Sequence, residues 1–225
     1  MMPLCYDYMI QFFKYHTHID EGMTTREQVA REAARLLYNR TVKEYKDAKE
    51  LAASSLGARV LPSNYEVAFE LDRLVEEREG SERFNMLIEM RRIALDLMRK
   101  LQDYDPVLIG SVWRGTPRRG SDIDIVVYHG DPDEVKHLLD DYQIKGTERK
   151  EFTVGGLPRT STHIEVQVEK HTVEVVVRPP GDREFYRDER CETYGDIKRG
   201  LRLPELEKLI QTDPLRRFIP KRRNR

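Results

Sequence analysis

The stretch "LIGSVWRGTPRRGSDIDIVVY", Leu108 to Tyr128, sets two aspartates into a run that otherwise reads as a buried β-strand. Ile123, Ile125, Val126, Val127 and Tyr128 surround Asp122 and Asp124. Residues two apart on a strand leave the same face side by side. Two carboxylates placed there repel each other, and both lose hydration when the face is covered. A solvated edge strand would avoid the problem, but the apolar "IVVY" that follows argues against one. A divalent cation resolves it by turning repulsion into shared attraction. Magnesium suits such hard oxygen donors and is normally shared between carboxylates and phosphates.

The turn before the strand has the residues of a phosphate site. Gly110 lets the chain bend tightly, and Ser111 offers a hydroxyl and a backbone N–H. A helix starting at Ser111 would present its N-terminus to an anion. Arg114 then falls one turn later with a planar fork that fits a phosphate. Gly115, Pro117 and Gly120 return the chain to Ser121 and the aspartate strand, and Arg118 and Arg119 sit in that loop.

The surrounding pattern predicts helices first and a mixed sheet after them. Thr24-x-x-Glu27 is a capping-box signature, and an apolar stripe from Val29 to Ala52 predicts helix from Thr24 to about Ser55. A second helix is expected from Ser63 to a stop at Gly80, and a third from Ser81 to Asp105-Pro106. The Lys and Arg residues of these helices read as a solvated face. "PVLIGS" and "DIDIVVY" are strands, "DPDEVKHLLDDY" a helix, and "HIEVQVE" and "TVEVVVRP" a β-hairpin turning at Lys170-His171. That turn would pair Val168 with Val173, Val166 with Val175 and Ile164 with Val177, leaving Glu165, Gln167, Glu174 and Val176 on the other face. "LPELEKLI" begins a final helix before the basic "RRFIPKRRNR".

Net charge names no partner, since 39 Lys and Arg balance 40 Asp and Glu. Cys5 and Cys191 form no ligand spacing or disulfide framework. No apolar run approaches a membrane span, so no membrane partner and a cytoplasmic location are expected. Residues 1–22 read unlike the rest, as an extension or loose arm ahead of a start at Met23. Six histidines show no metal-ligand spacing.

"GSVWRGTPRRGSDIDI" resembles the signature of the DNA polymerase beta-type nucleotidyltransferases: Gly-Ser-x-x-Arg-Gly followed by Ser-Asp-x-Asp. The resemblance covers about residues 81–180 and implies an α+β fold: N-terminal helices, then a small mixed β-sheet, palm-like core with flanking helices. The expected organisation is an arm at 1–22, a helical region at 23–80, the nucleotidyltransferase core at 81–180 and a C-terminal segment at 181–225. Trp113 departs from the pattern, where many relatives have a small or basic residue.

The resemblance also implies the chemistry. An NMP moves from an NTP to an acceptor hydroxyl, pyrophosphate leaves, and two Mg²⁺ ions assist. Asp122 and Asp124 would be catalytic metal ligands, and Gly110, Ser111, Arg114 and Ser121 would bind the nucleotide. A third carboxylate is expected on a later strand. Glu174 best resembles that position, although Asp is usual there, and Glu165 is the alternative. Tyr194, Lys198 and Arg199 are further candidates for the cleft. The acceptor is left open between RNA, protein and small molecule. Two other readings stand beside this one. The first is an inactive, antitoxin-like interaction module using the N-terminal helices to bind a protein partner. The second is an RNA-directed enzyme whose basic tail and Lys/Arg-rich residues 40–49 track a phosphate backbone.

Overall fold

The computed structural model describes residues 23–154, 157–186 and 188–220. The proposed arm at 1–22 and the last five residues of the basic tail lie outside them. The chain separates into two compact units, dividing between Leu71 and Asp72.

The first unit is helical. α1 (Thr25–Tyr38) begins with the expected capping box, in which the Glu27 carboxylate accepts from the Thr24 N–H at 2.8 Å. α2 (Tyr45–Ser55) follows as a separate helix. The predicted single helix is therefore two, because Arg40 turns left-handed at φ 58° and the polar residues after it give no reason to continue the helix. Val29, Ala33, Leu37, Ala48, Ala52 and Val67 form the core of this unit. Arg26 grips Glu66 at 2.8 Å, and that hydrogen bond holds the Glu66 carboxyl down at about 2.

α3 (Asn64–Lys100) runs from the first unit into the second, with its helical path broken at Gly80, φ 50°. Beyond the break, Leu87, Met90, Ala94, Leu97, Met98 and Leu101 face the core of the second unit. Not every cation here is solvated as expected. Arg83 and Arg91 are buried, and each donates to main-chain carbonyls there.

The second unit contains β1 (Val107–Ile109), α4 (Gly110–Arg114), β2 (Ile123–Tyr128), α5 (Pro132–His137), β3 (Gln143–Val154), β4 (Leu157–Val168) and β5 (His171–Arg178). After these come α6 (Arg183–Tyr186), β6 (Leu201–Arg202) and α7 (Leu203–Thr212). The α+β expectation holds, with a six-stranded mixed sheet ordered β3-β4-β5-β2-β1-β6. β2 and β5 run parallel, while the other neighbouring pairs are antiparallel. Alternation sorts the two faces. Ile123, Ile125, Val127, Val173, Val175, Val177, Ile164 and Val166 enter the core, each contributing about 1.5–3 kcal/mol by taking its apolar side chain out of water.

Two strand features differ from expectation. The β4–β5 turn is Glu169-Lys170, so Val166 pairs with Val173 and Ile164 with Val175. Glu169 takes the positive φ of 53° that the tight turn needs, and buried His171 joins the strand. The shift is by two residues, so every side chain keeps its predicted face. β3 gave no pattern to read. It is an edge strand, mostly exposed on both faces, and nothing selects for apolar alternation along it.

Candidate active site

β2 and β5 lie side by side in a register that pairs Asp124 with Glu174. The antiparallel β4 pairs Glu165 with Glu174 on the other flank. The three carboxylates thus form a row on one sheet face, Asp124 beside Glu174 and Glu165 one strand further off. Exposed Asp122 stands just before β2. Burial raises the Asp124 carboxyl to about 7, with the charges of Glu174 and Asp122 adding to the effect. This is the repulsion foreseen from the sequence.

Gly110 is where the phosphate turn meets this row. It has φ 68°, and a Cβ there would strike the Asp124 carboxylate, lying 2.9 Å from its carboxyl carbon. Only glycine lets the backbone rest against Asp124 in this way. Ser111 follows in α4, half-buried, and Trp113 is packed in the core. Ser121 closes the loop: its hydroxyl accepts from the Arg118 N–H at 3.0 Å, and its own N–H donates to the Arg118 carbonyl at 2.8 Å. That turn delivers Asp122 to the head of β2.

Arg114, the expected phosphate clamp, is paired within the protein. Its guanidinium donates to both Asp196 oxygens, at 2.7 and 2.8 Å, and to the Phe218 carbonyl at 2.9 Å. Trp113 and Tyr194 present their rings at 4.2 and 4.7 Å. Burial works against its charge, but the hydrogen bond and charge of Asp196 outweigh it and hold its pKa above the usual value. The Phe218 N–H also donates back to the Arg114 carbonyl at 2.9 Å. Part of the basic tail is thus a strap over α4.

Several residues that hold the site in place could not be singled out in the sequence. Fully buried Arg91 donates to the carbonyls of Val112, Trp113, Pro214 and Arg216 at 2.6–3.2 Å. Burial lowers its pKa to about 10, so it keeps its charge at neutral pH. It ties the end of α4 to the strap. Arg83 donates to the Pro117 carbonyl at 2.9 Å, and Glu79 accepts from the Arg119 N–H at 3.1 Å, fixing the loop. The Arg119 side chain pairs with Glu82 at the surface. His163 Nδ1 lies 2.8 Å from Glu174 Oε1. Strand alternation puts His163 on the carboxylate face, and that was its one signal in the sequence.

A cavity of about 1060 Å³ opens along the same face, where Val126 and Tyr128 continue the line of Asp124 and Arg178 that of Glu174. Lys198 and Arg199 line it, the former paired with Glu189 at 2.5 Å. Tyr194 instead covers Arg114. Among the described residues, no three His, Cys, Asp or Glu side chains stand close enough as they lie to hold an ion. The donor set still fits one: hard carboxylate oxygens, adjacent in register, with excess negative charge felt at Asp124.

Residues 90–190 match the family model described as nucleotidyltransferase domain. That match includes the Gly110–Asp124 motif on which the resemblance to nucleotidyltransferases rests. No curated protein matches. Among solved structures, one is a cytoplasmic RNA terminal U-transferase, at 19% identity over 51% of this chain and 34% of that one, TM-score 0.26. A second is the GLD-2/RNP-8 complex, at 11% identity over 55% and 40%, TM-score 0.31. A third is the MgGTP-bound Cid1 poly(U) polymerase, at 15% identity over 48% and 38%, TM-score 0.27. The chain spans only 34–40% of the length of these structures. No helix among the described residues is long and apolar enough to cross a membrane.

Proposed function

We propose that this protein is a Mg²⁺-dependent nucleotidyltransferase, moving an NMP from an NTP to an acceptor hydroxyl and releasing pyrophosphate. The observation that carries this reading is the register pairing Asp124 with Glu174, next to a Gly110 that admits no side chain. Asp122, Asp124 and Glu174 are the residues that would hold Mg²⁺, with Glu174 preferred to the more distant Glu165. When bound, Mg²⁺ neutralises phosphate charge and lowers the pKa of the attacking hydroxyl.

The chain's own residues do the rest. Gly110 and Ser111 bring backbone N–H groups and a hydroxyl to the triphosphate, and Ser121 keeps Asp122 in place. Arg114 acts through Asp196 and Phe218, keeping α4 steady under the phosphates. Glu174 accepts the proton of the acceptor hydroxyl. The new O–P bond forms at the α-phosphorus as the bond to the pyrophosphate oxygen breaks. Alignment and charge neutralisation supply most of the rate. The cavity beside the carboxylates offers room for the base or the acceptor.

One observation favours a second reading. Arg114 is spent on Asp196, which suits a fold kept as a protein-binding module. The deciding experiment incubates the protein with each α-labelled NTP and Mg²⁺, offering RNA, protein and small-molecule acceptors beside an Asp122→Asn/Asp124→Asn control. Label transferred by the wild type alone supports the enzyme and names the acceptor class. A wild type that neither binds nucleotide nor transfers label supports the module.

A further inference from the structure

The third carboxylate does not stand alone on the sheet. β5 carries Glu174, β4 carries His163 and Ser161, and β3 carries Lys150, all within reach on one face. His163 Nδ1 is 2.8 Å from Glu174 Oε1, and His163 Nε2 is 2.9 Å from Ser161 Oγ. A carboxylate only accepts, so Nδ1 carries the proton and donates to Glu174. In the neutral ring Nε2 then accepts from the Ser161 hydroxyl. Ser161 is buried and His163 half-buried, so both edges of the imidazole are fixed. Lys150 Nζ adds a looser contact to the same oxygen at 3.9 Å. All three neighbours approach from the β4 side, while Asp124 lies on the β2 side.

We infer that His163, held by Ser161, is a positioning residue that fixes the Glu174 carboxylate for divalent-metal binding opposite Asp124. The inference rests on the proposed nucleotidyltransferase reading and adds residues to its site. Glutamate has one more rotatable bond than aspartate, so a third carboxylate built from Glu must be restrained to serve as a ligand. Tying Oε1 to a ring braced at its far edge supplies the restraint and leaves Oε2 for a ligand. Hydrogen bonds to metal-binding groups govern affinity in this way elsewhere, by about 10–100-fold.

The test is Mn²⁺ titration by electron paramagnetic resonance. It uses the full chain with an equimolar mixture of the four ribonucleoside triphosphates carrying a non-cleavable α–β bridge, so it requires no acceptor. His163→Leu is expected to weaken one Mn²⁺ site by at least about tenfold. His163→Asn places an amide N–H near Nδ1 and is expected to restore affinity to within about threefold of wild type, which lost ring packing alone would not permit. Where turnover is measured, His163→Leu lowers kcat and leaves KM for the nucleotide unchanged.

Wild-type affinity in His163→Leu overturns the inference, and so does equal loss in the Leu and Asn variants. The Asp124→Asn control separates the two levels. If it loses Mn²⁺ while His163→Leu does not, only the role of His163 fails. If it binds like wild type, or if wild type binds none, the metal reading fails and takes the inference with it. Should His163→Leu not fold, Ser161→Ala keeps the ring and frees its far edge; a several-fold weaker site is expected, and unchanged affinity overturns the proposal.

Discussion

Replacing Asp124 with Asn is expected to make the protein more stable at pH 8 while changing it little at pH 4, measured without divalent ions. Burial first, then the charges of Glu174 and Asp122, raise this carboxyl from 3.8 to about 7. Between those values the folded protein keeps a proton that the unfolded chain has released. Stability therefore falls as pH rises across the window and levels off above it. A shift of about three units sets a ceiling near 4 kcal/mol. Partial exposure and solvent screening reduce this to about 1–3 kcal/mol. Asn keeps the shape and removes the charge, so its gain should open between pH 4 and 7. Urea unfolding at pH 4, 6 and 8 reads it from the midpoints. A variant no more stable than wild type at pH 8, or equally shifted at every pH, would refute the electrostatic account. Adding Mg²⁺ should then reverse the order, because wild type gains binding free energy that the variant cannot.

Gly110→Ala should cost about 2–4 kcal/mol, since the methyl meets the Asp124 carboxylate and φ 68° strains any L-residue; a urea midpoint within error of wild type would contradict the close approach. Arg91→Met should cost about 3–5 kcal/mol by removing the charged donor from four main-chain carbonyls, of which Val112 keeps a long bond from the Gly115 N–H. Limited proteolysis should also show earlier cleavage after Arg216 and Arg217 as the strap loosens; an unchanged pattern would mean Arg91 does not hold it. Asp196→Asn should lower stability by about 1–3 kcal/mol by weakening a charge-assisted pair to Arg114. If it instead tightened nucleotide binding, Arg114 would have turned to the phosphates.

The legible parts of this protein were those whose physics is local. Asp122-x-Asp124 within an apolar run predicts a charged strand face, because side chains alternate whatever the strand pairs with. The same alternation assigned the faces of β4 and β5 correctly even though their turn was misplaced, since a two-residue slip preserves parity. Gly110 and Gly80 marked real breaks in the chain path, and the capping box marked the start of α1. β3 was illegible for the converse reason: an edge strand solvated on both faces gives its sequence no reason to alternate.

Only the tertiary structure decided who meets whom. Alternation placed Glu174 and Glu165 on one face, resemblance favoured Glu174, and parallel pairing of β2 with β5 put Glu174 beside Asp124. No spacing rule connects Arg91 to Val112 and Arg216, or Arg114 to Asp196, because those contacts join segments far apart in the chain. A buried cation needs acceptors from somewhere, and which carbonyls fold back to supply them depends on the whole packed unit. Residue type and alternation determined the chemistry available on this sheet face; long-range pairing determined which carboxylates share it and which cations pair with the scaffold.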